Sequence, residues 1–154
     1  MNNKELIEKF YTSFSSGNVK GMTSCYHKDI TFRDPVFGTL KGVKAVKMWE
    51  MLMARRTDST TISFDNINAS IDQGTATWTA KYLYGNKKRK VTNVVTAKFK
   101  FKDGKIIKHV DTFDLWKWSQ QALGIVGFLI GWTPFMKNKI QKTTKGQLDD
   151  FMNK

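Results

Sequence analysis

His109 and Asp111 stand two residues apart in the stretch Lys105–Trp118, KIIKHVDTFDLWKW. On a β-strand that spacing sends both side chains to the same side of the sheet. An imidazole and a carboxylate buried together are costly unless they bond each other or serve a site. In an apolar cup the carboxylate would hold its proton to higher pH than usual, and the imidazole would tune that affinity toward neutrality. Such a pair suits a general base, Asp111, with His109 as its partner. A purely structural buried pair fits the same residues. Another carboxylate, Asp34, precedes Pro35. It offers an auxiliary acid or base, and equally an ordinary turn aspartate bonded to backbone amides.

Alternation on the preceding segment decides which side is inside. Between Val91 and Lys102, the residues Val91, Asn93, Val95, Ala97, Phe99 and Phe101 share one face, and Lys98, Lys100 and Lys102 share the other. The lysines must meet water, so the Val/Phe face meets the core. Asp103-Gly104 is a hairpin signal. If the following strand keeps Lys108 outside with the other lysines, Ile107, His109, Asp111 and Phe113 turn inward. Asn93 is then a polar group on an apolar face. With Trp78, Tyr82, Trp49, Phe113 and Phe14 it is a candidate pocket lining, although such aromatics serve more often as core.

The rest of the chain must position these groups. Lys4–Ser16 puts Leu6, Ile7, Phe10, Tyr11 and Phe14 on one helical face and ends at Ser-Gly-Asn. Asn18 can cap a second short helix through Met22 to Tyr26. His27-Lys28-Asp29 reads as a turn, Ile30–Arg33 as a short strand stopped by Asp34-Pro35, and the segment from Phe37 to Gly42 as a loop. A third helix, Val43–Arg55, is expected to bury Val46, Trp49, Leu52 and Met53. From Thr60 the period changes to two, giving strands over Thr61–Asn68 and Thr75–Tyr84, then the basic loop Gly85–Lys90. Helices followed by an antiparallel meander predict an α+β fold. Asp114 is placed to cap a segment starting at Leu115. Ala122–Trp132 (ALGIVGFLIGW) is apolar but about half of a membrane span, and Thr133-Pro134 opens a last, basic helix. The apolar stretch is expected to pack on the body of the protein or across a dimer, since exposure would be a liability.

Composition excludes several classes. The chain has 154 residues, enough for one core. One cysteine, Cys25, allows no internal disulfide, and two histidines without a cysteine cluster offer no metal centre. No glycine-rich phosphate loop is present, and no cofactor is expected. The net charge of +13 favours anionic surfaces, but the basic residues are spread along the chain. The run Lys87-Lys88-Arg89-Lys90 lacks the interleaved aromatics of single-strand binders, so nucleic acid is not an expected partner. The polar start Met1–Glu8 carries no signal-peptide pattern, which makes the cytoplasm the default compartment.

At HKDITFRDPVFGTLKG, His27 to Gly42, the sequence resembles the nuclear transport factor two-like superfamily, and within it the SnoaL-like polyketide cyclase and ketosteroid isomerase branch. The helix ending FYTSFSSGN, the Asp34-Pro35 step, the helix after Lys41-Gly42 and the final strand DGKIIKHVDTFD carry the likeness. It extends from about Lys4 to Asp114, which defines residues 1–114 as the domain and 115–154 as a C-terminal helical extension. The resemblance implies a cone-shaped α+β barrel, a curved antiparallel sheet wrapped around N-terminal helices, one deep apolar pocket, and homodimers packed through the sheets. It also implies roles. Asp34 matches the proton-shuttling aspartate of ketosteroid isomerases. Phe10 and Ala97 stand where those enzymes place an oxyanion-binding tyrosine and a protonated aspartic acid, so both donors are missing. Asp111 matches the general base of SnoaL-like cyclases. His109 stands where limonene epoxide hydrolase-like enzymes need an arginine.

Two functions remain open at this point. One is a cofactor-independent isomerase, cyclase or hydrolase-type enzyme acting on a small hydrophobic molecule through Asp111, His109 and Asp34. The other is a binding or carrier protein using the pocket without turnover. Association with a membrane surface through the extension is a third and weaker option.

Overall fold

The computed structural model describes residues Met1–Lys154. Helix α1 (Asn3–Ser16) begins with a reciprocal cap: the Asn2 side chain accepts from the Glu5 amide, and Glu5 accepts from the Asn2 amide. It ends at Gly17, whose φ of +78° closes the last turn at no steric cost. Helix α2 (Val19–Thr23) follows, capped by Asn18. Strands β1 (Tyr26–Asp34) and β2 (Gly38–Lys41) form a hairpin, and helix α3 (Val43–Ala54) leads to β3 (Thr61–Ala69), β4 (Gln73–Tyr84), β5 (Arg89–Lys102) and β6 (Lys105–Thr112). The extension holds α4 (Leu115–Leu123), α5 (Ile125–Ile130) and α6 (Pro134–Met152). No helix is long and apolar enough to cross a membrane.

The six strands form one sheet in the order β2-β1-β6-β5-β4-β3. The architecture is the expected α+β one, with a curved sheet around the N-terminal helices. The sheet is not closed, since β2 and β3 are free edges. Nor is it wholly antiparallel: β1 runs parallel to β6, with Phe32 beside His109 and Arg33 beside Val110. The β1–β2 hairpin and the β3–β6 meander are joined only through α3, and they meet along this parallel seam.

Two local readings are corrected. His27-Lys28-Asp29 lies inside β1 rather than in a turn, and Gly38–Lys41 is strand β2 rather than loop. The β5 alternation holds, with Val91, Val95, Ala97 and Phe99 buried and Lys98 and Lys100 exposed. Across the hairpin, pairing jumps from Lys100–Lys108 to Phe101–Ile106. This bulge leaves Ile107 half-buried and puts Ile106 in the core, in place of the expected inward Ile107. It precedes His109, so His109 and Asp111 still face inward, 0% and 3% exposed.

The core joins one face of α1 (Leu6, Ile7, Phe10, Tyr11, Phe14), one face of α3 and the inner face of the sheet. In α3 the fully buried set is Ala45, Met48, Trp49 and Met51, whereas Val46, Leu52 and Met53 are half-buried. Leu52 and Met53 are incompletely covered because they border a cavity.

The extension behaves in two ways. Helix α4 docks on β5: Gln121 accepts from the Thr92 amide at 2.7 Å, and Arg89 donates to the Gln121 carbonyl at 2.8 Å. Helix α6 returns to the body through Thr144 Oγ1 on the Val36 carbonyl (2.7 Å), Gln141 on the Pro35 carbonyl, and Leu148 in the core. Helix α5 does not. Ile125, Val126, Phe128 and Leu129 stay exposed on the single chain, so of the two expected packings, on the body or across a dimer, the first does not cover them. Gly127 holds α5 against α4, since a Cβ there would meet the Ser119 carbonyl. Gly127→Ala is therefore expected to destabilise the protein by about 1–3 kcal/mol, read as a lowered urea midpoint.

Candidate functional site

The site is built where β6, β4, β1 and α3 converge. Asp111 and His109 come from alternate positions of β6, Tyr26 from the parallel neighbour β1, Trp49 from α3 and Trp78 from β4. Their polar atoms form a continuous chain. Trp49 Nε1 donates to Tyr26 Oη at 2.8 Å. Tyr26 Oη lies 2.7 Å from His109 Nδ1. His109 Nε2 lies 2.8 Å from Asp111 Oδ1, which also accepts from Trp78 Nε1 at 3.3 Å.

The direction of the chain follows from donor accounting. Burial raises the Tyr26 hydroxyl well above its ordinary pKa, so it keeps its proton. An indole only donates, so Tyr26 accepts from Trp49 and must place its own hydrogen on His109 Nδ1. That fixes Nε2 as the protonated nitrogen, donating to Asp111. Aromatic rings enclose the imidazole: Phe99 with its centroid at 4.5 Å, and Phe32 edge-on at 5.1 Å.

Asp111 is also where the chain reaches open space. It borders a cavity of about 560 Å³, whose lining is mostly hydrophobic. Oδ1 carries both hydrogen bonds, and Oδ2 has no protein partner. All six expected lining side chains border this cavity: Phe14, Trp49, Trp78, Tyr82, Asn93 and Phe113. Asp34 borders it too, but His109 does not and stands behind Asp111.

Asp34 makes the anticipated turn bonds and also carries a perturbed carboxyl. Its Oδ1 accepts from the amides of Val36 (2.9 Å) and Phe37 (2.6 Å), the turn role. Burial, reinforced by the negative charge of Asp111, nonetheless lifts its carboxyl from 3.8 to about 7, against the pull of the two amides. Tyr82 accepts from Trp118 Nε1 at 2.7 Å, and burial pushes its hydroxyl up to about 12. Its hydrogen therefore remains in place and has no protein acceptor, at the cavity wall.

Sequence reasoning missed Tyr26, read as the end of the second helix with a turn after it, whereas α2 stops at Thr23 and Tyr26 opens β1. It also missed the walls contributed by the extension, Trp118, Thr144 and Gln147. The available signal for Trp118 was its place in an aromatic, amphipathic run, LWKW. No group of three or more His, Cys, Asp or Glu side chains is arranged to hold a metal.

Residues 7–109 match the sequence profile of the SnoaL-like domain. The chain belongs to this family. Asp111 lies two residues past the matched segment of this SnoaL-like protein. Solved structures share its fold at low identity. One is a hypothetical protein of ketosteroid isomerase-like fold from Catenulispora acidiphila in complex with trimethylamine (TM-score 0.66, 14% identity, 84% of this chain and 98% of that one). Another is a candidate polyketide cyclase from Pseudomonas putida KT2440 (TM-score 0.65, 19% identity, 79% and 98%). An epoxide hydrolase of the limonene type from Mycobacterium tuberculosis is also similar (TM-score 0.60, 18% identity, 81% and 92%). Among curated proteins, none matches the sequence significantly.

Proposed function

We propose that this SnoaL-like protein binds a small hydrophobic carbonyl compound, of the polyketide kind, and moves a proton on it without a cofactor. The observation that carries this reading is the Asp111 carboxylate, held by Trp78 and His109 through one oxygen while the other faces an aromatic cavity. In that arrangement Asp111 takes a proton from the carbon beside the carbonyl. The C–H electron pair moves into the carbon–carbon bond and the charge collects on the carbonyl oxygen. His109 acts as a positioning residue, since its Nε2 hydrogen orients the base. The developing oxyanion needs donors, and Phe10 and Ala97 supply none. Tyr82 has a spare hydroxyl hydrogen, and Asp34 is about half protonated near neutral pH. These two are the candidate donors, and Asp34 can also return a proton at the end.

A second reading, a carrier without turnover, is favoured by the absence of donors at Phe10 and Ala97. Exchange of ligand hydrogens for deuterium separates the two. In heavy water, the protein is expected to speed exchange at the acidic C–H of bound aromatic 1,3-dicarbonyl compounds, followed by mass spectrometry. Asp111→Asn should lower that rate by about 10²–10⁴ with ligand affinity largely kept. Binding with exchange no faster than in buffer would leave the carrier reading standing.

A further inference from the structure

The face formed by α5 and the β4–β5 hairpin is not explained by the cavity. Ile125, Val126, Phe128, Leu129, Trp132 and Phe135 are each more than half exposed. They do not sit on a loose segment. Gly127 and Gly131 bring α5 so close to α4 that a side chain on either would strike Ser119. The tryptophans of the patch are also internally satisfied: Trp116 Nε1 donates to the Phe128 carbonyl and Trp132 Nε1 to the Leu129 carbonyl, each at 3.1 Å. Their rings can leave water without stranding a donor.

The stretch of chain that carries this apolar knob holds charge of one sign only. Between Asp114 and Asp149 the chain contains no acidic residue and five lysines: Lys117, Lys137, Lys139, Lys142 and Lys145. All five are exposed. The basic run Lys87–Lys90 reaches this region through Arg89. Arg89 donates to the Gln121 carbonyl, and its guanidinium lies about 3.2 Å from where a Cβ on Gly124 would stand, at the junction of α4 and α5. A preformed apolar projection with tryptophans beside it and lysines as the only charges in the stretch of chain that flanks it has the composition of an interfacial membrane anchor.

We propose that this face docks on an anionic lipid surface, with α5 entering the headgroup boundary and the hairpin and α6 lysines meeting lipid phosphates. A second copy of the chain suits it less well. Two such faces brought together would oppose their lysines and their basic hairpins, whereas anionic lipid offers both the apolar medium and the opposite charge. The inference stands apart from the reading of Asp111. A membrane would also hold in solution the kind of apolar molecule that fits the cavity, which Leu83, Tyr84 and Gly85 of this same hairpin help to line.

Vesicle flotation tests the proposal with the full chain. The protein is expected to float with phosphatidylglycerol vesicles and not with phosphatidylcholine vesicles at low salt, and to lose about tenfold or more in bound fraction near 0.5 M salt. The double substitution Phe128→Glu, Leu129→Glu should reduce binding to phosphatidylglycerol about tenfold or more with an unchanged circular dichroism spectrum and Tm. Lys87→Glu, Lys88→Glu should weaken it in the same direction. Three results would overturn the proposal: no flotation with phosphatidylglycerol, flotation of the Phe128/Leu129 variant equal to that of the parent, or a lipid-free dimer that the same variant turns into a monomer. The second would mean that net charge alone is responsible, and the third that another copy covers the face.

Discussion

His109→Ala is expected to destabilise the protein by about 3–5 kcal/mol, measured as the change in unfolding free energy in urea. The imidazole is 0% exposed and joins two partners, so its loss strands both. The Tyr26 hydroxyl loses its acceptor, and Asp111 loses the closer of its two donors. A void also opens among Phe10, Phe32 and Phe99. Tyr26→Phe makes an informative companion. It removes one oxygen and leaves no large void, but it orphans the Trp49 indole hydrogen and His109 Nδ1. Its cost should be about 1–3 kcal/mol. Nitrogen-15 NMR of the imidazole should show the Nε2-protonated tautomer in the parent and its loss of dominance in Tyr26→Phe. A cost below about 1 kcal/mol for His109→Ala would mean that the chain of bonds is not made in solution.

Stability is expected to fall as pH rises from about 4 to about 7, through Asp34. The folded protein holds this proton up to about pH 7, while the unfolded chain releases it near 3.8. Below 3.8 both states are protonated and the group has no effect. Between the two values the native state binds more protons than the unfolded one, so each pH unit costs up to about 1.36 kcal/mol. Above pH 7 the penalty is complete, on the order of 4 kcal/mol from the rise of 3.8 to about 7, reduced to the extent that water in the cavity reaches the carboxylate. Asp34→Asn keeps an oxygen for the amides of Val36 and Phe37 and removes the charge. Compared with the parent, this variant should be similar in stability at about pH 4 and clearly more stable at about pH 8. Parallel stability curves for the two proteins would show that Asp34 is ionised normally.

The inward facing of His109 and Asp111 was readable because Lys98, Lys100 and Lys108 mark the outside of β5 and β6 beside the site. Ile106-Ile107 was not, since either isoleucine satisfies the core and only the pairing with β5 selects between them. Tyr26 was hidden for a related reason. His27 bonds the Asp29 amide locally and imitates a turn, while the strand around it is held by β6, some eighty residues away in sequence. A parallel partner leaves no imprint on a period of two. The walls supplied by Trp118, Thr144 and Gln147 depend on how the extension folds back, and local pattern carries no record of that. The exposure of α5 on the single chain was not legible either, because it follows from Gly127 and Gly131 pressing the helix against Ser119, a contact that an apolar run does not announce.

The one-way run of bonds behind Asp111 has a consequence for any proton that lands on the carboxylate. Both inner termini, Trp49 and Trp78, are indoles that give hydrogen and take none. The line from Asp111 inward is thus a cul-de-sac with no outlet to bulk water. An acquired proton can depart only through the cavity, toward a bound molecule, water there or Asp34. Hydrogen exchange at Asp111 in heavy water should then depend on water reaching its free oxygen through the cavity, and not on any path through His109.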